Sequence, residues 1–178
     1  AEDIDFNTVA SVYFNIIGGC LLSIGLKFAG TGNIKAMDTI LREIQKIRKV
    51  KVNTCELAND SSMKNSIPLY TINHLLCVSL LSLSLVMAGT CNVNCLKMAR
   101  IIRKKFQSES QMHFGFNMAV HMATGFLFLG NGKYTFSKSN FAIGALLISV
   151  YPQFPQSPGD NKYHLQALRH FYVLAIEE

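Results

Sequence analysis

Side chains able to do chemistry are few and scattered. Five cysteines, five histidines and eleven carboxylates are spread over 178 residues. Cys91 and Cys95 stand four apart, a spacing that can put both on one helix face. A metal would need at least two further ligands, and no other His or Cys lies close in sequence. His74 and Cys77 could form a base and nucleophile pair, but both lie in an apolar run, where the thiolate is disfavoured. Gly125 to Lys133 invites a phosphate-loop reading and fails it. A Walker motif needs Gly where Leu127 stands and Ser or Thr where Tyr134 stands. His121, on an apolar helix, reads as a core histidine with a satisfied ring. Glu43, Glu56 and Glu109 are too dispersed for paired acid–base work. No catalytic set, no metal site and no cofactor motif is expected.

Cations are the better organised charges. Arg42, Lys46, Arg48, Lys49 and Lys51 form one cluster; Lys97, Arg100, Arg103, Lys104 and Lys105 form another. Each ends a charged, amphipathic stretch, where cations complement a helix C-terminus. Their recurrence predicts a positive stripe along one edge, a candidate dock for an acidic partner. Nucleic acid is not expected: the net charge is +6 and no aromatics interleave the cations. Phe154 in the proline-rich loop 151–160, and His164 with Arg169 on a predicted final helix over 160–176, complete the candidate contacts. Asp160 is the expected N-cap of that helix.

The elements that must position these residues come from a repeat. Three segments share one plan, an apolar helix, a small-residue turn and a second helix. Gly30, Gly89 and Gly130 are equivalent points, 59 and 41 residues apart. The first helices carry small residues at helical spacing: Gly18, Gly25 and Ala29; Ser79, Ser82 and Ala88; Ala119, Ala123 and Gly125. Glycine inside a helix costs about 1 kcal/mol relative to alanine, so its reuse predicts close backbone contact. Gly30, Gly32, Gly89, Gly130 and Gly132 are expected to form the turns, with left-handed backbone ending each first helix. Cys91 stands where the other two units have Gly32 and Gly132. Asn33 and Asn92 are natural N-caps for the second helices. Ile34, Met37, Leu41 and Ile44 make an apolar stripe on the first of these; Val93, Leu96, Ala99 and Ile102 make one on the second. Units are expected over 7–50, 67–107 and 114–151, with an insertion at about 50–66. The fold class is all-α, an α-α superhelix stabilised by stacking neighbours.

The turn segments, 25–33, 84–92 and 125–133, resemble proteasome/cyclosome repeats. That family holds the two largest scaffolds of the proteasome regulatory particle and the largest subunit of the anaphase-promoting complex. The stretches 134–140, 145–155 and 160–175 resemble the end of the repeat domain on the cyclosome side of the family. The resemblance implies an arc of a toroid with two concentric helix rings. It implies a scaffold without ligase chemistry inside a cell-cycle ubiquitin ligase. The partners implied are the cullin-like catalytic module, the processivity subunit and the platform subunits. The alternatives are a proteasomal scaffold, which would bind ubiquitin-like domains, and a multi-span membrane protein.

The membrane alternative rests on four stretches without Lys, Arg, Asp or Glu, at 6–26, 65–96, 110–132 and 139–159. Polar residues interrupt them, Trp is absent and no aromatic belts flank them. Their apolar cores suit buried helices better than spans. Free cysteines inside apolar runs suggest a reducing compartment, nucleus or cytoplasm. The acidic start, without Met, suggests that the chain begins inside a longer protein.

Overall fold

A computed structural model describes residues 6–57, 68–108, 114–157, 159–160 and 164–178. Seven α-helices are present among them: α1 Phe6–Lys27, α2 Ile34–Leu57, α3 Leu69–Val86, α4 Val93–Ser108, α5 Phe114–Leu127, α6 Asn140–Ser149 and α7 His164–Leu168. The class is all-α, built from helical repeats. The insertion expected at about 50–66 lies largely outside the described residues; α2 itself runs on to Leu57.

The inner helices α1, α3 and α5 form one row, with α3 in the middle. Apolar residues surround α3, and from Leu75 to Val86 every residue is buried. Two helices, α1 and α3, are long and apolar enough to cross a membrane. For α3, burial against neighbouring helices accounts for that composition. The outer helices α2 and α4 are amphipathic, and each leans on the inner helix of the following unit, α2 on α3 and α4 on α5. Ile40, Ile44 and Ile102 are fully buried on the apolar stripes of α2 and α4. Asparagine caps start both helices: the Ala36 N–H donates to Asn33 Oδ1 at 3.0 Å, and the Asn94 N–H donates to Asn92 Oδ1 at 2.9 Å.

Small residues close the gap between α1 and α3. A Cβ on Gly25 would lie 2.8 Å from the Ser82 Cα. One on Gly18 would lie 3.2 Å from a Leu75 methyl. A Cβ on Gly125 of α5 would meet nothing within 4 Å among the described residues.

The turns join each unit to the next through backbone hydrogen bonds. The Gly30 and Gly32 N–H groups donate to the Leu85 and Val86 carbonyls at 2.8 and 2.9 Å. One unit on, the Gly89 and Cys91 N–H groups donate to Phe126 and Leu127 at 3.0 Å each. Helix ends leave carbonyls without intrahelical partners. Here the preceding turn supplies the donors, and left-handed backbone aims them. Gly30 and Gly89 both have φ 69°. Their missing side chains also leave room for a later strand: the Phe136 carbonyl lies over Gly30 and the Tyr134 carbonyl over Gly89.

Cys91 takes φ 53°, the left-handed conformation found at Gly32 (60°) and Gly132 (82°). The second turn thus keeps its geometry without glycine. Left-handed backbone costs an L-residue roughly 1–2 kcal/mol, offset in part by the greater unfolded-state freedom of glycine. Cys91→Gly is therefore expected to stabilise the chain by about 0.5–1 kcal/mol. A urea titration that shows a loss of stability would contradict this account of the turn.

The third unit departs from the repeat. After a 3-10 turn at Leu129–Gly132, the chain runs back across the earlier turns as β1, Thr135–Phe136. Thr135 Oγ1 donates to the Gly30 carbonyl at 2.9 Å. Phe136 is buried edge-on against Phe126, with centroids 5.2 Å apart. Helix α6 then packs chiefly on a 3-10 helix at Arg169–Ala175 and also touches α1, so it does not repeat the lean of α2 and α4.

The single helix expected over 160–176 is also corrected. It is α7, then the 3-10 helix, then β2 at Ile176–Glu177, antiparallel to β1. The residues that Asp160 is expected to cap, 161–163, lie outside the described ones. Asp160 Oδ2 accepts the Gln156 and Ser157 N–H groups at 2.9 and 3.1 Å, which folds the proline-rich loop on itself. At the other end the Ala175 carbonyl accepts the Ser137 N–H at 2.8 Å and draws the terminus into the two-strand pairing.

Candidate partner-binding surface

The thiols and imidazoles do not assemble into a reaction centre among the described residues. Cys95 is fully buried, and burial pushes its thiol up to about 11, so it stays protonated. Cys91 sits in the turn, with its Sγ 3.2 Å from where a Gly132 Cβ would be. The His74 ring donates through Nε2 to the Pro152 carbonyl at 2.6 Å and lies between Tyr70 and Phe154. Cys77 instead faces the Phe116 carbonyl from 4.0 Å. His74 therefore anchors the 151–155 segment to α3. Among the described residues, no cluster of three or more His, Cys, Asp or Glu side chains could hold a metal.

His121 is not in the core. It is exposed on α5, beside Arg100 and Arg103 of α4.

Of the proposed contacts on α2, Arg42, Lys46 and Lys49 face solvent. Arg42 Nε donates to the Asp38 carbonyl at 3.4 Å, and Lys46 Nζ pairs with Glu43 at 2.7 Å. An exposed pair of this kind contributes about 0–1 kcal/mol. Arg48 turns inward instead, with Nη1 4.0 Å from the Met98 sulfur of α4. The side chain of Lys51 lies outside the described residues. On α4, Arg100, Arg103 and Lys104 are exposed and Lys105 is half-buried.

The two clusters coincide only in part under the repeat offset, which sets Lys105 on Lys46. Under the 59-residue register that superposes the turns, Arg100 falls on Leu41 and Arg103 on Ile44. Arg42 lines a recess on α2 with Lys35, Thr39 and Gln45, whereas Arg100 and Arg103 line a groove between α4 and α5. That groove encloses about 450 Å³. Its floor is Leu96, Ala99, Val120 and Phe128, and His121 and Thr124 stand along its α5 side.

Two further candidates are corrected. Phe154 is buried, 6% exposed, against His74 and Phe116. Arg169 is 4% exposed and holds the chain internally. Its Nη1 donates to the Ser149 and Tyr151 carbonyls at 3.2 Å each, Nη2 to Gln153 at 2.5 Å and Nε to Gln166 Oε1 at 2.8 Å. The guanidinium also stacks over Phe154, 5.4 Å from its centroid. Burial lowers its pKa from the ordinary arginine value. Sequence spacing could not reveal this clamp, since its acceptors are main-chain carbonyls 16 to 20 residues away. His164 starts α7, and its side chain lies outside the described residues.

With the geometry in place, comparison with known proteins gives one answer. The family model described as APC1 fifth domain matches residues 1–177. Anaphase-promoting complex subunit 1 of Dictyostelium discoideum is 44% identical, covering 97% of this chain and 8% of the relative. Subunit 1 of Mus musculus is 42% identical over 99% of this chain and 9% of the relative. A protein of Emericella nidulans named "Negative regulator of mitosis" is 36% identical over 93% of this chain and 8% of its own length. The chain thus spans about a tenth of the length of the curated relatives it matches. The matches run across turns, outer helices and the clamped C-terminal segment alike, and the chain belongs to the anaphase-promoting complex subunit 1 family, in the part of it described as the fifth domain.

Proposed function

We propose that this segment is a non-catalytic scaffold element of the anaphase-promoting complex, acting in cell division within the nucleus and cytoplasm. Its work is to hold other subunits in fixed relative positions: the cullin-like catalytic module, the processivity subunit and the platform subunits. The observation that carries the reading is the stitching of the units. The first two turns each donate two backbone hydrogen bonds to the end of the next inner helix, and residues 134–136 lie across both of them. Such an arc resists bending between units, because displacing one breaks bonds whose groups are otherwise buried. A rigid body with separated outer faces suits the positioning of partners. The names of the relatives support the cyclosome over the proteasome as the setting.

Cross-linking mass spectrometry on the assembled complex tests this. Lysines on α2 and α4, such as Lys46 and Lys104, should cross-link reproducibly to cyclosome subunits, with the complex's ubiquitin-transfer chemistry unaffected by Cys77→Ala. Cross-links to proteasomal ATPases, or a loss of turnover with a correctly folded Cys77→Ala variant, would overturn the proposal.

A further inference from the structure

The 3-10 helix at Arg169–Ala175 is seven residues long. Such helices rarely exceed three or four, because their hydrogen bonds are poorer than those of an α-helix. It follows α7 without a break, where an α-helix could simply have gone on. The sequence would suit one. On an α-helix Arg169 would share its face with Tyr172, Val173 and Ile176, the i, i+3, i+4, i+7 spacing of an amphipathic stripe. In the 3-10 form residues three apart are eclipsed, so Arg169, Tyr172 and Ala175 make the row instead. Arg169 and Ala175 are buried there, Tyr172 lies edge-on to Phe126 with centroids 5.2 Å apart, and Val173 is exposed.

The choice of helix form decides where the chain end lies. An α-helix advances about 100° per residue, so it would turn Ala175 about 120° away from the Arg169 face. It would also be shorter. A 3-10 helix rises about 2.0 Å per residue against about 1.5 Å, and over this segment it gains about 3.5 Å, close to one strand residue. The 3-10 form therefore both aims and extends the segment. It brings the Ala175 carbonyl to the Ser137 N–H at 2.8 Å and sets Ile176–Glu177 beside Thr135–Phe136. That pairing is two residues a side, and short two-stranded pairings are marginal in water. A weak helix form is thus set against a short strand pairing, each holding the other in place.

We propose that residues 169–177 are a two-state latch. In the latched state, the one the structure shows, the segment is 3-10 helical, β2 is paired, and residues 134–136 are held across the turns at Gly30 and Gly89. In the released state α7 runs on as an α-helix through Ala175. Arg169 keeps its carbonyl acceptors and acts as the pivot, Val173 and Ile176 turn onto its face, and Ala175 turns out and draws back. Ser137 then loses its acceptor and the strap over the turns is freed, while the turns keep their own bonds to α3 and α5. A contact that spans the first two units is thereby conditional on the backbone form of the C-terminal segment. The latch concerns bonds inside the arc and stands whether or not the scaffold reading does.

Hydrogen exchange, read residue by residue in the full-length subunit within the assembled complex, tests the latch. Release exposes the Ser137 amide but keeps that of Leu174 in an α-helical bond, whereas fraying of the chain end would expose both. Ala175→Gln puts a long polar side chain at a position that is fully buried in the 3-10 form and turned outward in the α form. Exchange at Ser137 should accelerate roughly tenfold or more, with Leu174 still protected and the Gly30 amide unchanged. Val173→Asn leaves helix propensity nearly as it was but sets a polar group on the inward face of the α form, so Ser137 should slow roughly threefold. Joint exchange of Ser137 and Leu174 in either chain overturns the latch, as does equal acceleration at Gly30. So does an Ala175→Gln chain with Ser137 unchanged, or a Val173→Asn chain in which Ser137 does not slow.

Discussion

Gly89→Val should lower stability by about 4 kcal/mol or more, since three costs coincide at one residue. Left-handed backbone at φ 69° costs an ordinary L-residue about 1–2 kcal/mol and a β-branched one more. The added Cβ would collide with the Tyr134 carbonyl, which is backbone and has no rotamer to escape into. If the turn relaxes to avoid both, the Gly89 and Cys91 donors leave Phe126 and Leu127, and buried carbonyls lose their partners. A thermal melt should fall by roughly 10 °C for a chain of this size. Gly144→Ala supplies the control. Gly144 lies inside α6, a Cβ there meets nothing within 4 Å, and the substitution should be neutral or gain up to about 1 kcal/mol. A Gly89→Val melt equal to that of the Gly144→Ala chain would contradict the turn assignment.

How far the fold could be read from sequence follows from the range of the interactions that set it. Inner and outer helices, their asparagine caps and the turn glycines are written locally, in small-residue spacing, apolar stripes and a fixed offset between Gly30, Gly89 and Gly130. Close packing of Gly25 on Ser82 was legible for the same reason. The third unit was not. Its helix and turn copy the others through Gly132, and nothing in the local pattern signals that Tyr134–Phe136 will leave the outer row to lie across turns 45 and more residues upstream. The C-terminal segment is helical in pattern, but pairing of Ile176–Glu177 with Thr135–Phe136 overrides it. His121 was misread because an apolar helix context does not say which face of the helix a residue takes, and this one stands exposed beside α4. On the site, exposed cations could be named from composition, but charge clustering alone did not separate Arg100 and Arg103, which stand between α4 and α5, from Arg42, whose recess is lined by α2 alone. The useful signal was in the repeat register, where arginine stands in place of Leu41 and Ile44.

The same distinction between local pattern and tertiary role makes Arg169→Ala the second large effect. An arginine on a predicted surface helix would be expected to cost little on removal, within about 0.5 kcal/mol. Here it ties Ser149, Tyr151 and Gln153 together, joining the end of α6 and the proline-rich loop to the 3-10 helix. Hydrogen bonds from a charged donor contribute about 1.5–3 kcal/mol each, and the outer two carbonyls can regain water, so a loss of about 3–5 kcal/mol is expected. The stack on Phe154 and the bond to Gln166 go with it. Arg169→Lys should recover little, because one ammonium cannot span acceptors that a forked guanidinium reaches from three nitrogens. Loosening should appear first where those carbonyls sit. Hydrogen exchange should accelerate at the Gly115 N–H, which donates to Pro155 at 2.8 Å, before it does at Gly30 or Gly32 in the stitched turns. Uniform acceleration across all three sites would mean that the clamp is part of one cooperative core rather than a local tie. An Arg169→Ala chain as stable as the parent would return the residue to the surface role that its sequence context suggests.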